Sequence, residues 1–404
     1  MQRRGWLLAM ATVVFALALV SYLRAVPTTE FHRDEARWIH RAAFLRELRD
    51  PLSAYWSDRE LMWGQPPLGS YLMGLGLVLQ GQDTETNAFY DFHHNEAWNK
   101  ARGAMPSEDD LRAARRTNAV VGALIAASAA VIAGVLTHPL GGLLAGIFLA
   151  AHPLAIYLGS LAGSDPLVTL CVALAALAAM ALAAAPTWPR SILLGVLCGL
   201  GGSAKLSPLL LAIGLSIYGL AMMLWSRRGV GTESERQLGV RLLPVPVIAV
   251  AAFVVSAPYL WPDPIGRTLT LFRFRAKEMA NQGIIWEDLK VTNPLEAVQR
   301  IAFWLGSENT VLGRIVPALG GVDLILAMVG SVLFVVLAVR RGSGSPAALA
   351  LVVLGGQVLL VIAGYRADFA RYLLPVVLWE AVAIGIGVGL AADRMLRSAR
   401  ERSA

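Results

Sequence analysis

The stretch PLVTLCVALAALAAMALAAA, residues 166–185, contains no charged side chain. As an α-helix it would extend for roughly 30 Å, which matches the thickness of the hydrocarbon core of a bilayer. Runs of this kind recur at 6–23, 117–136, 140–158, 166–185, 191–204, 206–225, 242–258, 318–339, 346–363 and 372–392. We therefore predict an all-α polytopic protein with about ten transmembrane helices, forming a single integral-membrane domain over residues 1–404.

The composition supports this prediction and excludes most soluble classes of protein. Hydrophobic residues make up 56% of the chain and charged residues only 16%, against about 25% charged residues in an average soluble domain. The net charge of +7 would suggest nucleic acid as a partner of a soluble protein. Here most arginines fall in short tracts between apolar runs, which indicates membrane topology, so no nucleic-acid partner is predicted.

Five of these arginine tracts predict the orientation of the chain. With ten crossings they share one side, the cytoplasm, together with both termini; they are Arg3/Arg4, Arg190, Arg227/Arg228, Arg340/Arg341 and the tail Arg394–Arg402. Arg112, Arg115 and Arg116 argue against this orientation, because they fall outside. The apolar stretch 6–23 is longer than a typical signal peptide, so we interpret it as a retained first helix.

Two long segments, 24–116 and 259–317, then lie outside the cytoplasm. The run 66–79 is short for a crossing and begins with two prolines, so we predict an interfacial or half-inserted helix. A second amphipathic helix follows Asp34, with Trp38, Ile39, Ala42, Leu45 and Leu48 at helical spacing, and would lie on the membrane surface. The cytoplasmic connections are too short to hold a nucleotide sugar, so chemistry is expected on the extracytoplasmic face.

Three acidic residues at the membrane boundary are candidates for catalysis. Asp34 and Glu35 follow the first helix, and Asp165 precedes Pro166 at the start of another. Asp34 and Asp165 would each be explained by capping a helix. The alternative is a carboxylate placed to take a proton from an acceptor hydroxyl.

Three basic residues are candidates for binding an anion. Lys205 lies within an apolar region, where it either extends toward the interface or binds a phosphate at the level of the lipid headgroups. Arg366 and Arg371 lie outside, before the last helix, where positive charge is not expected. This position favours an anionic ligand, although pairing between Arg366 and Asp368 is a simple alternative.

Other polar residues give weaker indications. Asp91, His93, His94 and Glu96 are close in sequence, but a histidine pair in a polar loop is usually only solvated, so no metal site is predicted. Trp261, Asp263, Glu287 and Asp288 in the second external segment could contact acceptor or sugar. Cys171 and Cys198 lie in apolar runs and are interpreted as core residues.

Together these tracts resemble the GT-C superfamily of membrane glycosyltransferases, and in particular its protein O-mannosyltransferases and lipid A aminoarabinose transferases. The resemblance covers most of the first 225 residues and depends on the order of short motifs. They are Asp34-Glu35, Gln65-Pro66-Pro67-Leu68, Arg116-Thr117-Asn118-Ala119, His152-Pro153, Ser164-Asp165, Ala204-Lys205 and, near the C-terminus, Arg371-Tyr372-Leu373-Leu374-Pro375.

The resemblance implies transfer of a sugar from polyprenyl phosphate, with inversion, to an acceptor on a protein, a glycolipid or a glycan. It implies Asp34 as base, Asp165 as second acidic site, and Lys205 with Arg371 at the lipid phosphate. Relatives often have His or Lys where this chain has Gln65, so a possible positive charge near the phosphate is missing at this position. No cofactor is implied, and a divalent cation between carboxylate and phosphate stays open. A lipid or sugar transporter and a non-catalytic scaffold are the competing hypotheses.

Overall fold

The computed structural model describes residues 2–57, 62, 65–229, 231–308 and 310–403, which are almost entirely helical. In chain order the α-helices are α1 (Gln2–Ala25), α2 (Arg33–His40), α3 (Ala43–Glu47), α4 (Leu68–Leu79), α5 (Glu96–Ala101), α6 (Glu108–Leu136), α7 (Pro139–Ala151), α8 (Pro153–Gly159), α9 (Asp165–Ala184), α10 (Trp188–Ala204), α11 (Ser207–Arg227), α12 (Glu233–Leu242), α13 (Val245–Val255), α14 (Pro264–Ile285), α15 (Pro294–Phe303), α16 (Val311–Ile315), α17 (Val322–Arg341), α18 (Pro346–Gly364) and α19 (Leu374–Ser403).

Short turns of other helix types connect them. The 3-10 turns are Ala54–Ser57, Pro258–Leu260, Glu287–Leu289, Pro317–Leu319 and Ala370–Leu373, and Trp304–Glu308 forms a π turn. Within the described residues the extended backbone pairs only at one isolated antiparallel bridge, between Lys290 and Ala367. The predicted all-α class is therefore confirmed.

Eight helical stretches in the described part of the chain are long and apolar enough to cross a bilayer. They are Gly5–Ala25, Glu108–Leu136, Asp165–Ala184, Ser207–Arg227, Glu233–Val255, Pro317–Arg341, Pro346–Gly364 and Ala370–Ala399. Each overlaps one of the ten predicted crossings. The polytopic architecture is therefore as predicted, and the differences concern the two remaining runs.

Those two runs, 140–158 and 191–204, are not long continuous helices. The first is broken between α7 and α8, which meet at a bend of 64°. Pro153 lacks a backbone N–H and disfavours helical geometry in the residue before it, and His152 is indeed extended. The second forms α10, which has 17 residues and ends where Lys205 becomes extended. Counting apolar residues detects neither interruption.

Small side chains allow the central helices to pack closely. α1 packs against α6 and α7, while α19 packs against α7 and α17. Buried alanines line these contacts, including Ala129 and Ala133 of α6. Between membrane helices such small residues let the backbones approach. The outer faces are apolar and exposed, as at Val13, Ile217 and Val332, which fits contact with lipid.

The first external segment is held to the bundle by protein contacts. The apolar face of α2 is buried against α4 and the start of α6, around Trp38, Ile39, Met73 and Leu77. This differs from the predicted surface helix, whose apolar face would contact lipid. The predicted helix is also interrupted after His40, giving α2 and α3.

A buried ion pair anchors this segment to α6. Glu35 and Arg115 form two bonds of 2.8 and 2.7 Å, with side chains 1% and 5% exposed. Arg115 also donates to the carbonyl oxygens of Val26, Thr29 and Glu30. Since Glu35 neutralises Arg115, this arginine carries little weight against the predicted orientation.

The closest approach of α7 and α19 gives a first prediction. Gly141 and Gly385 face each other, and a Cβ on either would overlap the carbonyl oxygen of the other. We expect Gly385→Ala to lower the free energy of unfolding by about 1–3 kcal/mol through overpacking. Thermal unfolding in detergent measures this. Gly214→Ala is the control, because nothing lies within 4 Å of its added methyl group. Equal melting temperatures for the two variants would contradict the packing argument.

The anchoring pair gives a second prediction. Replacing Glu35 with Gln leaves Arg115 charged and buried without its partner, which typically costs about 3–5 kcal/mol. We expect a lower melting temperature and faster proteolysis between residues 24 and 108. Glu108→Gln removes an exposed partner of Arg112 and should cost less than about 1 kcal/mol. A Glu35→Gln variant as stable as the Glu108→Gln variant would show that the pair does not anchor the segment.

Candidate functional site

A cavity of about 310 Å³ lies where the first external segment meets the helical bundle. Its polar end is formed by residues far apart in the chain: Asp34, Gln65, Ser164, Asp165, Lys205, Arg275, Arg371 and Tyr372. The remaining wall is mostly apolar and includes Val168, Leu210, Phe272, Met279, Leu360 and Val361. The cavity therefore joins a charged end to an apolar groove between helices.

Asp34 projects into this cavity from the first turn of α2. Its carboxylate accepts a hydrogen bond from the guanidinium of Arg371, which lies 337 positions later in the chain. The alternative that Asp34 caps α2 is wrong, because His32 is the N-cap residue. The His32 ring accepts from the Asp34 backbone N–H at 3.2 Å, and Glu35 accepts from the His32 backbone at 3.0 Å. The Asp34 side chain is thus free for the cavity.

His32 stays uncharged beside this pair. Burial, and then the positive charge of Arg371, lower the pKa of His32 below its ordinary value. Because Nδ1 accepts a bond from the Asp34 backbone, the neutral ring carries its proton on Nε2. The positive charge next to Asp34 at neutral pH therefore comes from Arg371.

Glu35, predicted together with Asp34, is used differently. Besides Arg115 and the His32 backbone, it accepts from the backbone N–H of Ala162 at 2.9 Å. It is buried and absent from the cavity lining. The prediction that Glu35 takes part in catalysis has no support in this geometry. Successive helical residues point about 100° apart, so one carboxylate of the pair faces the cavity and the other faces α6.

Asp165 and Lys205 form the second ion pair of the cavity. Asp165 is the first residue of α9, and Ser164 occupies the N-cap position without making a capping bond. The capping interpretation of Asp165 is therefore also wrong. Lys205 ends α10 in an extended conformation and turns its ammonium group toward Asp165. Both side chains are partly exposed, at 17% and 24%, so a ligand can reach them.

Tyr372 lies at the centre of three cations, one of which the sequence analysis missed. The Lys205 ammonium group lies 5.0 Å from its ring centroid and the Arg371 guanidinium 5.3 Å. Arg275 of α14 donates to its hydroxyl group at 3.3 Å. No sequence signal marked Arg275 beyond its place in the second external segment, where Arg273 and Lys277 are close to it in the chain. Three positive charges thus converge on one end of the cavity.

Several polar atoms at the cavity have no hydrogen-bond partner among the described residues. They are Gln65 Oε1, Ser164 Oγ, Gln357 Oε1 and Arg371 Nε, and all four are buried. Buried polar atoms in proteins are normally paired, so this cluster indicates a polar ligand. Gln65 is held at the cavity by its backbone, because its backbone carbonyl oxygen accepts a hydrogen bond from the Arg41 guanidinium at 2.5 Å.

The other candidates lie elsewhere. Arg366 is exposed and outside the cavity lining, although it is only five residues from Arg371. His93 binds Asp91 at 2.9 Å, and His94 stacks on Trp98. Asp263 is the N-cap residue of α14. The described residues contain no group of three or more His, Cys, Asp or Glu side chains placed to hold a metal ion.

Comparison with solved structures identifies the fold. The chain aligns with the oligosaccharyltransferase AglB of Archaeoglobus fulgidus at a TM-score of 0.55 and 13% identity, covering 99% of this chain and 52% of that one. It aligns with ArnT of Cupriavidus metallidurans, in a structure bound to undecaprenyl phosphate, at 0.54 and 17%, covering 95% and 60%. The chain therefore spans about half to three fifths of these proteins.

Sequence comparison identifies the family. No curated protein matches the whole sequence significantly. The model of the dolichyl-phosphate-mannose-protein mannosyltransferase family matches residues 47–257, just over half of the chain. The matched region includes α4, α9 and α10, and with them Gln65, Asp165 and Lys205. This multi-pass membrane protein belongs to the dolichyl-phosphate-mannose-protein mannosyltransferase family, within the GT-C superfamily of membrane glycosyltransferases.

Proposed function

We propose that this protein transfers a sugar from a polyprenyl-phosphate donor to an acceptor hydroxyl group on the extracytoplasmic face of the membrane, with inversion at the anomeric carbon. One observation carries the proposal. Two carboxylates and three cations meet in one cavity that continues into an apolar groove, as a lipid phosphate joined to a sugar would require.

The charged end suits the donor phosphate. Polyprenyl phosphate leaves as an anion, and preorganised cations stabilise charge that develops on a leaving group. Lys205, Arg275 and Arg371 supply three such cations around Tyr372. The apolar wall, with Phe272, Met279 and Leu360, offers a surface for the first units of the prenyl chain.

Asp34 is the proposed base. The acceptor oxygen attacks the anomeric carbon, the bond from that carbon to the phosphate oxygen breaks, and the phosphate leaves with the electron pair. Asp34 takes the hydroxyl proton, which requires the hydroxyl oxygen to lie within about 3 Å of its carboxylate. The transition state resembles an oxocarbenium ion, as in glycoside hydrolysis. Asp165, the second acidic group, orients Lys205.

The relatives support this donor class. The family is named for dolichyl-phosphate mannose as donor. The AglB structure contains a dolichol phosphate, and the ArnT structure contains undecaprenyl phosphate. We propose that this chain uses a polyprenyl-phosphate sugar as well, with both termini in the cytoplasm and the cavity on the opposite face.

One feature matches the competing transporter hypothesis. The helix broken between α7 and α8 carries His152, which lies 3.5 Å from Glu380 of α19 with both side chains buried. Broken helices with ionisable groups at membrane depth are typical of transporters. However, neither His152 nor Glu380 lines the cavity. The transferase hypothesis assigns a role to the charged residues of the cavity, whereas the transporter hypothesis assigns them none.

Replacing the proposed base tests the catalytic step. We expect Asp34→Asn to reduce sugar transfer at least 100-fold, because general-base catalysis contributes about 10²–10⁴ in rate. Donor binding should persist, since the cations remain. Mass spectrometry of purified protein with a panel of polyprenyl-phosphate sugars measures consumption and binding of donor together. Asp109→Asn, at an exposed position on α6, is the control and should retain full activity. Near-normal turnover in Asp34→Asn would remove Asp34 as base.

Replacing a phosphate-binding cation tests the donor site. We expect Arg371→Gln to weaken binding of polyprenyl phosphate about 10- to 100-fold, because a hydrogen bond to a charged group contributes about 1.5–3 kcal/mol. Arg366→Gln, five residues earlier and exposed, should bind normally. Titration of the lipid into protein in nanodiscs measures both affinities. Equal affinities for the two variants would place the phosphate elsewhere.

A further inference from the structure

We infer that a surface beside Asp34 binds the acceptor, and that it fits a saccharide carrying a negatively charged group; this inference rests on the proposed transferase function. The surface, here termed the acceptor shelf, consists of Arg33, Phe92, Trp286 and Phe369. The first two belong to the first external segment, and the last two come from much later in the chain.

A continuous series of contacts forms the acceptor shelf. The Arg33 guanidinium lies 5.4 Å from the ring centroid of Phe92 and 5.8 Å from that of Trp286. Trp286 packs edge to face on Phe369, with centroids 5.3 Å apart. The Arg37 guanidinium, 3.7 Å from the Phe92 centroid, holds that ring from the neighbouring turn of α2. Two aromatic rings therefore flank Arg33, and a third packs against one of them.

The charge of Arg33 is available to a ligand. Its side chain is exposed and makes no ion pair or hydrogen bond with the residues that the structure describes. Among nearby acidic groups, Asp91 is occupied by His93. Glu287 and Asp288 follow Trp286 but form no ion pair with Arg33. A guanidinium between aromatic rings is suited to a planar or tetrahedral anion, because its donors can bind two oxygens together.

The acceptor shelf lies next to the reaction site and outside the donor cavity. The ring centroid of Phe369 is 5.1 Å from the Arg371 guanidinium, which binds Asp34. The four shelf residues are absent from the lining of the donor cavity, whereas Asp34 and Arg371 line it. A molecule on the shelf therefore meets Asp34 without displacing the donor, as a two-substrate transfer requires.

The backbone around the acceptor shelf favours a saccharide over an extended peptide. Peptides commonly bind by adding a strand to free backbone groups. Here the backbone groups near Trp286 and Phe369 are already hydrogen-bonded within the protein. The N–H groups of Val291, Asp368 and Phe369 donate to the carbonyl oxygens of Arg366, Leu289 and Ala367, at 3.1, 2.8 and 2.8 Å respectively. The groups left for a ligand are the partly exposed rings of Trp286 and Phe369, which suit the apolar face of a sugar ring, and the exposed cation of Arg33.

The test compares charged and neutral sugars as ligands and as acceptors. Full-length protein in nanodiscs is titrated with glucose 6-phosphate, glucuronate, glucose and a serine-containing acidic peptide, and binding is followed by ligand-observed NMR. The same compounds are then offered together with polyprenyl-phosphate sugars, and products are identified by mass spectrometry. The variants are Arg33→Gln and Trp286→Leu. The control is Arg102→Gln, which removes another arginine stacked on a tryptophan in the same segment, Trp98.

We expect the wild-type protein to bind at least one of the two charged sugars at least tenfold more tightly than glucose. Arg33→Gln should remove this preference and raise the acceptor KM, with kcat and donor affinity unchanged, whereas Arg102→Gln should behave as wild type. Whether glucose 6-phosphate or glucuronate binds more tightly identifies the anionic group. The inference is overturned if the wild-type protein shows no preference for charge, if Arg33→Gln keeps it, or if only the peptide binds or is modified.

The two proposals fail in different ways. If no polyprenyl-phosphate sugar is bound or consumed, the transferase proposal fails, while the binding titration still decides whether the acceptor shelf recognises charged sugars. If donor is consumed but Arg33→Gln changes nothing, the acceptor site lies elsewhere and the transferase proposal stands.

Discussion

The arrangement of this protein depends on one constraint: an ionisable group beside an apolar helical bundle needs a partner. Charges at membrane depth are costly, so they are found paired or at functional sites. Here Asp34 is paired with Arg371, and Asp165 with Lys205, at the boundary between bundle and external segments. The first pair joins the beginning of the chain to its end, and the second joins two helices of its middle. Pairing of these charges in the folded bundle therefore also assembles the polar end of the cavity.

Glu35 and Arg115 meet the same constraint without exposure to a ligand. Their pair is buried and saturated by backbone groups, so it holds the first external segment in place. The pairs in the cavity are partly exposed, and the unpartnered Nε of Arg371 lies next to them. A buried ion pair with all its hydrogen bonds made thus has a structural role, whereas a partly exposed pair can exchange its partner for a ligand. Glu35 belongs to a pair of the first kind, and its neighbour Asp34 belongs to a pair of the second kind.

Hydropathy predicted most of the fold because membrane helices must satisfy their backbone internally and present apolar side chains to lipid. Hydropathy could not detect the break at His152, because the residues on both sides of it are apolar. The proline that follows, Pro153, was the residue in the sequence that indicated a break. Hydropathy also placed the start of α6 at residue 117, although the helix begins at Glu108. The first turns of α6 are polar because they extend beyond the apolar core, where composition no longer identifies a helix.

The candidate site was predicted in part. Asp34, Gln65, Asp165, Lys205 and Arg371 were all chosen from the sequence, and the structure brings them to one cavity. Their pairing could not be predicted, because contacts across hundreds of residues leave no trace in a single sequence. Arg275 was missed for the same reason: nothing near it in the chain distinguishes it from other arginines. Arg366 was chosen with Arg371 because both precede the last helix on the external side, but Arg366 is exposed and outside the cavity lining.

The pairing of Asp34 with Arg371 also bears on the order of events in the proposed reaction. A carboxylate bound to a guanidinium is a weaker base, because the positive charge stabilises its ionised form. The donor phosphate is a diester with one negative charge, like a carboxylate, so its binding alone gives Arg371 no strong reason to leave Asp34. Charge on the phosphate grows as the bond to the sugar breaks, because the departing polyprenyl phosphate is a monoester, and it would then compete with Asp34 for Arg371. In the proposed reaction the Asp34 carboxylate would therefore become available to the acceptor hydroxyl group as the sugar is transferred.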